Sequence, residues 1–537
     1  MPFSHFKLLS TSFVLVFLSQ TFINAQVVLR DTIVRWQHHQ FTLNEDHSMQ
    51  SYSTVDTDIE VVEFTGAKVI ENELIRLVVI PEYGGRVISF FHKPSQHEFL
   101  YQSECGSAYG IGEGNFYYNW LMVYGGIFPT LTEPEHGKSW LLPWDFSVVK
   151  NSADTVTVRM EYTDNTSYSG APGQFNNGIT NITCQVDISV YSASTIWDFD
   201  VSLINNNASN QKYEYWTCTT MTPGSETGDT GSPLNSEIIV PVDNYFAAWS
   251  PNAWIGNNNS TYSMSNINYL SEWTDMGIAY ASNLNDIYWG VVNHENEEGL
   301  FRVSENIETK GMKMWTWGKN NIDNNMYDFS NGGQDNYIEL WAGTSNSFFT
   351  DATLAASEKK KWKESYCATI GLSNITQMNN EAAINLIWEE NEQLLSYQLN
   401  TFLANETYTL KIEFEGEQNY AVENKTIQFE ALGLSSSISI DELLIPAGNY
   451  LVSATLYNGD GIPALVAKKE VVVPSPIAGI SNNDNPTRAS IISLFNHNVR
   501  FKMTKSDNYE LTIFSLNGQL ISSTNFRSSE IDVHLPS

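Results

Sequence analysis

The sequence predicts an all-β protein with more than one domain. Short apolar and β-branched runs recur along most of its 537 residues, and Asn, Gly, Asp and Pro interrupt them, whereas helical periodicity is scarce. Hydrophobic residues make up 42% and aromatic residues 13% of the chain, so large cores can form. We therefore expect a large multi-stranded β-sandwich followed by a small immunoglobulin-like β-sandwich.

The N-terminus reads MPFSHFKLLSTSFVLVFLSQTFINAQ. A lysine precedes an apolar run from Leu8 to about Phe22, and the small Ala25 stands before Gln26. This pattern predicts a secretory signal peptide over residues 1–25, because the run is shorter and more interrupted than the ~20 residues of a membrane span. We expect the mature protein to cross the periplasm and to be secreted or held at the cell surface, without inserting into a membrane.

Charge and cysteine usage exclude several classes of function. The 61 acidic residues outnumber the 28 basic ones and give a net charge of −33, so the surface repels nucleic acid phosphates. The four cysteines show no CxxC spacing, which argues against a zinc or redox motif. Export permits a disulfide, but the wide spacings select no pairing, and free buried thiols are expected. No metal and no cofactor is predicted.

The large sandwich is predicted over residues 26–372. Its texture is clear in AKVIENELIRLVVIPEYGGRVISFF, from Ala67 to Phe91, which divides into three strands. Turns are expected at Glu71-Asn72 and at Tyr83-Gly84-Gly85, where a glycine pair supplies the positive φ of a reversal.

The immunoglobulin-like sandwich is predicted over residues 373–474. TYTLKIEFEG, KTIQFEAL and GNYLVSATLYNGDG alternate apolar and polar residues with a period of two. The segment ATLYNGDG followed by VAKKEVVV predicts a hairpin. Few aromatic residues cluster here, which favours a structural spacer over a binding module.

Residues 475–488, rich in Pro, Asn, Gly and Ser, are predicted to be a linker. The following YELTIFSLNGQLI and the late SSEIDVHLPS resemble the C-terminal sorting domain of the type IX secretion system of Bacteroidota. This resemblance implies that residues 489–537 are a sorting domain recognised by the type IX secretion machinery. That family normally continues for a further strand or two, so we expect the domain to be truncated here.

Four segments of the large sandwich concentrate aromatic residues and carboxylates beside glycines. They are GEGNFYYNWLMVYGGIFPTLTEPEHGKSWLLPWDF, YEYWTCTTMTPGSE, KMWTWG and DNYIELWAG. Aromatic faces stack on sugar rings and carboxylates bind hydroxyls, so the pattern favours a polyol ligand over a phosphate. Most of the 15 tryptophans must belong to the core. The predicted substrate-binding residues are Glu113, Tyr118, Trp120, Trp140, Trp216, Trp317 and Trp341.

The stretches NELIRLVVIPEYGGRVISFFHK, GGIFPTLTEPEHGKSWLLPWDF, KMWTWG and YIELWAG resemble the galactose-mutarotase-like superfamily, and especially its uncharacterised bacterial domain family DUF5107. The resemblance covers roughly Glu60 to Ile370. It implies a β-supersandwich whose concave face binds carbohydrate. Aldose epimerases of this superfamily pair a histidine acid with a glutamate base, and the motifs place His136 and Glu339 at those positions. The strand expected to carry a second histidine reads YEYWTCTTM and has none.

The residues also support this chemistry independently of the resemblance. A histidine and a partly desolvated glutamate can exchange protons near neutral pH. In YIELWAG, Glu339 lies on the face opposite Ile338 and Leu340 and shares it with Tyr337 and Trp341, which is unusual for a purely solvated strand.

Hydrolysis of a glycoside requires two carboxyl groups, ~5–5.5 Å apart for retention or ~6.5–9.5 Å apart for inversion. Glu113, Glu133 or Glu135 could form such a pair with Glu339. In an extended segment Glu133 and Glu135 share one face and His136 lies opposite, so all three meet only if a turn at Pro134 or Gly137 breaks the alternation.

The sequence thus predicts a secreted carbohydrate-active protein, best interpreted as a glycoside hydrolase-like enzyme acting on an environmental glycan. The predicted catalytic residues are Glu339, His136, Glu135 and Glu133. The main alternative is a carbohydrate-binding surface protein without catalysis, which the missing second histidine favours. A polysaccharide lyase with Tyr117, Tyr118 or Tyr124 as base ranks lower because basic residues are sparse, and an aldose epimerase also ranks lower.

Overall fold

The computed structural model describes most of the chain. The described residues are 26–43, 45, 49–53, 56–103, 105–106, 108–109, 121–122, 125–132, 139, 142–166, 179–226, 231–257, 260–320, 336–440, 445–474, 489–495, 498–514 and 520–534. The predicted signal peptide and the predicted linker lie outside them. No helix in this part of the chain has the length and apolarity needed to cross a membrane.

Strands dominate the described residues, as the sequence predicted. The first thirteen are β1 (Val28–Asp31), β2 (Val34–His39), β3 (Phe41–Leu43), β4 (Met49–Tyr52), β5 (Ile59–Phe64), β6 (Lys68–Glu71), β7 (Ile75–Ile80), β8 (Arg86–His92), β9 (His97–Leu100), β10 (Cys105–Gly106), β11 (Ala108–Tyr109), β12 (Leu121–Met122) and β13 (Ile127–Thr132). The next fifteen are β14 (Asp145–Asn151), β15 (Thr155–Thr163), β16 (Ile182–Tyr191), β17 (Ile196–Asn205), β18 (Gln211–Ser225), β19 (Glu237–Ile239), β20 (Asn244–Trp249), β21 (Ser260–Ser263), β22 (Gly277–Ser282), β23 (Tyr288–Asn293), β24 (Glu298–Val303), β25 (Gly311–Thr316), β26 (Ile338–Gly343), β27 (Ala352–Leu354) and β28 (Lys359–Ile370).

The remaining strands follow Ile370. They are β29 (Gln377–Met378), β30 (Ala382–Glu389), β31 (Leu394–Thr401), β32 (Tyr408–Glu415), β33 (Tyr420–Ile427), β34 (Leu434–Ser439), β35 (Gly448–Tyr457), β36 (Pro463–Val473), β37 (Ala489–Phe495), β38 (Asn498–Phe514) and β39 (Leu520–His534). Helical structure in the described ranges includes the short 3-10 turns Asp56–Asp58, Pro251–Ala253, Met264–Asn266 and Leu270–Glu272.

Two large sheets form the sandwich. The 13-stranded sheet has the order β1-β6-β7-β8-β13-β18-β26-β25-β22-β20-β21, with β9 pairing with β8 and β18, and β27 pairing with β18. The 8-stranded sheet has the order β14-β15-β16-β17-β28-β24-β23-β19. Their facing sides supply one continuous apolar core, in which Phe90 of the first sheet meets Trp197 of the second edge to face at 5.8 Å. The prediction of a large all-β sandwich is therefore confirmed.

The predicted hairpins of Ala67 to Phe91 are present as β6, β7 and β8. Asn72 closes the first turn, since its Oδ1 accepts hydrogen bonds from the amides of Leu74 and Ile75 at 2.7 Å. Gly84 and Gly85 adopt positive φ values of 70° and 57° at the second turn. A Cβ at Gly85 would lie 2.6 Å from the Trp144 ring, so this position requires glycine for space as well as for conformation.

A charged cluster lies inside this core. Glu364 and Arg302 are both fully buried, and Arg302 Nε donates to Glu364 Oε2 at 2.8 Å. Three further donors reach the same carboxylate: Thr217 Oγ1, Trp362 Nε1 and Tyr366 OH, at 2.9–3.0 Å. Because Thr217 belongs to the 13-stranded sheet and the others to the 8-stranded sheet, this network ties the two sheets together.

The chain separates into two compact units. The first holds the described residues within Met1–Ile384, Leu399–Thr407 and Gln428–Leu434, and the second those within Asn385–Gln398, Tyr408–Ile427 and Ser435–Ser537. In the second unit, four strands pair in the order β33-β32-β35-β36, with β35 and β36 forming the predicted hairpin. Strands β37, β38 and β39 form a separate three-stranded sheet. The predicted domain boundaries at 372 and 474 stay predictions.

Candidate functional site

The sandwich places the candidate residues on one side of the 13-stranded sheet. Along β26, Ile338 and Leu340 point into the core between the sheets, and Glu339 and Trp341 point to the opposite side. We call this opposite side, which carries Glu339 and Trp341, the site face. The alternation predicted for YIELWAG is thus the one observed.

Strand register aligns the side chains of the site face into rows. One row crosses seven strands, from β8 to β20, and consists of Arg86, Phe128, Cys218, Trp341, Lys313, Tyr280 and Phe246. The next row along the strands consists of Thr220, Glu339, Trp315, Ile278 and Trp249. The rows bring together residues that lie far apart in the sequence, and they place two cations in line with the aromatic residues around Glu339.

Glu339 is a buried carboxyl group of this face, with 8% of its side chain exposed. Trp341 Nε1 donates a hydrogen bond to its Oε2 at 2.8 Å, and Lys313 Nζ lies 3.6 Å from the same oxygen. Burial raises the pKa of Glu339, and the charge of Lys313 and the hydrogen bond from Trp341 oppose this only in part. The pKa of Glu339 is therefore higher than that of an exposed glutamate.

Lys313 is held above aromatic rings. Its Nζ lies 4.0 Å from the centroid of Trp341 and 4.8 Å from that of Phe348. A desolvated ammonium over two aromatic faces gains cation–π attraction, and the 3.6 Å contact with Glu339 adds an ion pair. The lysine thus stands where it can stabilise the ionised form of Glu339.

Arg86 is the second cation of the row and is fully buried. Its guanidinium lies 4.7 Å from the ring centroids of both Tyr83 and Phe128, and Nη1 donates to the carbonyl of Gly125 at 3.1 Å. Gly125 must be glycine, because it has φ 79° and its Cβ would lie 2.1 Å from the carbonyl oxygen of Tyr101. This close passage of the chain therefore fixes the carbonyl that Arg86 binds.

The floor of the site face is an aromatic cluster. It consists of five aromatic residues and one cysteine, all of them buried: Phe128, Trp216, Cys218, Tyr280, Trp341 and Phe348. Trp216 lies flat across Gly343, since a Cβ there would be 2.2 Å from the indole ring. Phe348 meets Trp216 edge to face at 5.0 Å. Trp216 and Trp341 are both 0% exposed, so they form the base of this face.

A second aromatic cluster adjoins Glu339 along β25 and the start of β26. Trp317 is 2% exposed and meets Trp315 edge to face at 4.7 Å, while Tyr337 stacks on Tyr101 at 4.2 Å. Trp315 is only half-buried and stands directly opposite Glu339 in the register. Of these rings, Trp315 thus combines partial exposure with a place next to the carboxyl group.

The predicted site residues divide into two groups. Glu339, Trp216, Trp317 and Trp341 are described, and the structure brings Glu339, Trp216 and Trp341 together on the site face. The other seven lie outside the described residues: Glu113, Tyr118, Trp120, Glu133, Glu135, His136 and Trp140. Their roles stay predictions, as do those of the tryptophans as sugar contacts.

Sequence reasoning missed Lys313 and Arg86. Lys313 stands two residues before Trp315 in KMWTWG, so period-two alternation already placed its ammonium on the same face. Arg86 follows the glycine turn of YGGRV, and no feature of that segment distinguishes a site arginine from a surface one. Only the sheet order reveals that both align with Trp341.

The described part of the chain shows neither a metal-ligand cluster nor an ionised thiol on the site face. No three His, Cys, Asp or Glu side chains converge there as metal ligands would. All four cysteines are buried thiols outside any disulfide, as predicted, and burial raises the pKa of Cys218 on the site face, so that its thiol stays neutral.

Comparison with solved structures places this fold among known proteins. A TPR-domain containing protein from Parabacteroides distasonis matches with 17% identity and a TM-score of 0.52, over 64% of this chain and 55% of that one, so this chain spans about half of that protein's length. A galactose mutarotase-like protein from Clostridium acetobutylicum matches with 12% identity and a TM-score of 0.41, over 64% of this chain and 99% of that one. A galactose mutarotase-like protein from Lactobacillus casei matches with 10% identity and a TM-score of 0.39, over 57% and 100%. No family model matches the sequence. The neighbours of this all-β fold thus include galactose mutarotase-like proteins.

Proposed function

We propose that this protein is a secreted carbohydrate-active enzyme that binds a glycan against the site face and acts on it by acid–base chemistry, in the manner of a glycoside hydrolase. One observation carries the proposal: a buried glutamate with a raised pKa contacts a lysine and a tryptophan through one oxygen, beside an aromatic cluster. Buried carboxyl groups of this kind are common where a proton must be transferred near neutral pH.

The contacts of Glu339 support different roles for its two oxygens in this proposal. Oε2 is held by Trp341 Nε1 and faces Lys313, whereas Oε1 makes no hydrogen bond with the described residues. Oε1 is therefore the atom that would give a proton to a glycosidic oxygen or take one from water. Lys313 stabilises the carboxylate once the proton has left, and Trp341 keeps the group in one orientation.

A second proton-transferring group is needed for hydrolysis. The register partners of Glu339 are Thr220 and Trp315, and neither can serve. Glu214, also on β18, lies six residues from Thr220, or about 20 Å away, which exceeds the ~9.5 Å limit for an inverting pair. For the second role we retain the residues that the sequence predicts, namely Glu113, Glu133, Glu135 or His136.

The test is incubation with a panel of plant and algal polysaccharides, followed by assay of released reducing ends. The wild type should release them, Glu339→Gln should lose at least 100-fold in rate, and Glu305→Gln, which changes an exposed glutamate elsewhere, should match the wild type. Absorbance from an unsaturated uronate would indicate a lyase instead. Mutarotation of free monosaccharides that is lost in His136→Ala would indicate an epimerase.

A non-catalytic carbohydrate-binding protein is the second candidate, and Cys218 favours it. It lies in YEYWTCTTM, the strand where the resemblance implies a second histidine, and its neutral thiol supplies no acid or base. Calorimetric titration that shows glycan binding, unchanged in Glu339→Gln and without product from any polysaccharide, would support this candidate and contradict the enzyme.

The proposal includes export by way of residues 1–25 and the type IX secretion machinery. The signal-like N-terminus and the strand pattern of residues 489–537 support it. In a host with that machinery, deletion of residues 489–537 should retain the protein in the periplasm, and the mature N-terminus should begin at Gln26. Undiminished secretion of the deleted form would contradict the assignment.

A further inference from the structure

We propose that the site face binds a linear neutral oligosaccharide of about four units, which extends from Glu339 across β25 and β22 to a track on β20 formed by Phe246 and Trp249. The inference rests on the proposed carbohydrate function and adds to it the length and charge of the glycan. Phe246 and Trp249 are 36% and 44% exposed, in contrast to the buried aromatic floor.

The register gives the track its direction. Glu339, Trp315, Ile278 and Trp249 stand opposite one another on four successive strands. Neighbouring strands lie ~4.8 Å apart, so Trp249 is about 14 Å from Glu339, and each step across the sheet is close to the length of one pyranose unit. Exposure rises along this row, because Glu339 is buried, Trp315 and Ile278 are half-buried, and Trp249 is exposed. A sugar chain seated at Glu339 would therefore reach Trp249.

A β-bulge orients Trp249 toward this face. Ala247 pairs with Ala279 and points into the core, and regular alternation would turn residue 249 to the core as well. The register shifts between Ala247 and Trp249, so that Trp249 stands opposite Ile278 on the site face. Bulges commonly redirect a side chain next to functional sites, and this one exposes a large indole that alternation would have buried.

Polar side chains flank the two aromatic residues. Asn244 and Ser263 are register partners on the same face as Phe246, and Thr261 stands directly opposite Phe246. All three are exposed, and the segments NYFAAW and STYS contain no charged residue in a chain whose net charge is −33. Aromatic faces beside uncharged hydroxyl and amide groups match the apolar faces and hydroxyls of a neutral sugar. Strands β20 and β21 thus offer no charged side chain to recognise an anionic polymer.

The experiment measures affinity against chain length by calorimetry. Oligomers of β-1,4-linked glucose, mannose and xylose, from two to six units, are titrated into the full-length protein, with oligogalacturonides as the anionic series. For a series that binds, the wild-type affinity should rise up to about four units and then level off. Trp249→Ala should lower the affinity for four units and longer about tenfold and leave that for two units unchanged. Phe246→Ala should act in the same direction, and Val149→Ala, which removes an exposed apolar side chain from the other sheet, should have no effect.

Each other outcome has a distinct meaning. If the wild type binds a neutral series and Trp249→Ala matches it at every length, the track is overturned and the proposed function stands. If only oligogalacturonides bind, the neutral class is wrong. If the wild type binds none of the series, both the oligosaccharide track and the proposed carbohydrate function are wrong. If Trp249→Ala converts a sedimenting dimer into a monomer, the patch is an interface between copies of this chain and the track is overturned.

Discussion

Replacing Glu214 with glutamine should make the stability of the protein less sensitive to alkaline pH. Glu214 lies on the site face of β18, opposite Thr132, and is fully buried. The amides of Phe349 and Thr350 and the indole of Trp216 approach its carboxyl group and lower its pKa, but none of them is aligned within hydrogen-bonding distance and angle. Burial, with a contribution from the charge of Asp351, outweighs them and raises the pKa to about 8.

The magnitude follows from proton linkage. The folded protein keeps the proton of Glu214 up to a pH of about 8, whereas the unfolded chain releases it near the ordinary value of 4.5. The contribution of protonated Glu214 to the free energy of unfolding is therefore fully present below pH 4.5 and is lost as the pH rises to about 8. Each pKa unit corresponds to about 1.4 kcal/mol, so the loss between pH 5.5 and 9 is about 3 kcal/mol. Because glutamine stays neutral at every pH, Glu214→Gln removes this pH-dependent contribution to stability.

The assay is urea unfolding of the wild type and Glu214→Gln at pH 5.5 and pH 9.0. The difference in free energy of unfolding between the two proteins should shift by about 3 kcal/mol in favour of the variant at the higher pH. Glu305→Gln, at an exposed loop position, controls for the loss of a carboxyl group. A variant whose pH dependence parallels that of the wild type would refute the reasoning, because it would mean that the buried carboxyl group ionises at its ordinary pKa.

Three further predictions concern the fold. Arg302→Met should lower the free energy of unfolding by about 3–5 kcal/mol in urea, because it leaves Glu364 charged and buried, and adding Glu364→Leu should recover much of the loss. Gly343→Ala should lower the free energy of unfolding by about 1–3 kcal/mol, because its Cβ would lie 2.2 Å from the Trp216 ring. In the same urea titration, Gly459→Ala should change it by less than ~0.5 kcal/mol, because no atom lies within 4 Å of the added Cβ. A thiol reagent should modify no cysteine in the folded protein and four in urea; fewer than four would indicate a disulfide.

Local pattern was enough to predict the faces of individual strands. Period-two alternation in YIELWAG correctly placed Glu339 on the face opposite Ile338 and Leu340, because a strand buried on one face has a fixed alternation. The glycine pair of EYGGRV likewise predicted the reversal at Gly84 and Gly85. These features depend on neighbours within a few residues.

The order and register of the strands within the sheet could not be predicted in the same way. Strand β26 lies between β18 and β25, and its pairing with β18 joins Glu339 to Thr220 across more than 100 residues. Such non-local pairing leaves no local signature, so the alignment of Lys313 with Trp341 was hidden. The bulge before Trp249 was hidden for the same reason, because it is defined only by the partner strand β22.

The site face separates two uses of aromatic side chains, and this separation bears on how the site would work. Trp216 and Trp341 are fully buried, so a sugar could stack on them only after the cluster with Phe348 had opened. Their packing instead holds Lys313 Nζ 3.6 Å from Glu339 Oε2. A close-packed aromatic floor resists small displacements of either side chain. Trp249 is exposed without such packing and is suited to contact a ligand directly. Under the proposed function, the sheet thus places Glu339 and Lys313 in a buried, close-packed region and the exposed Trp249 three strands away.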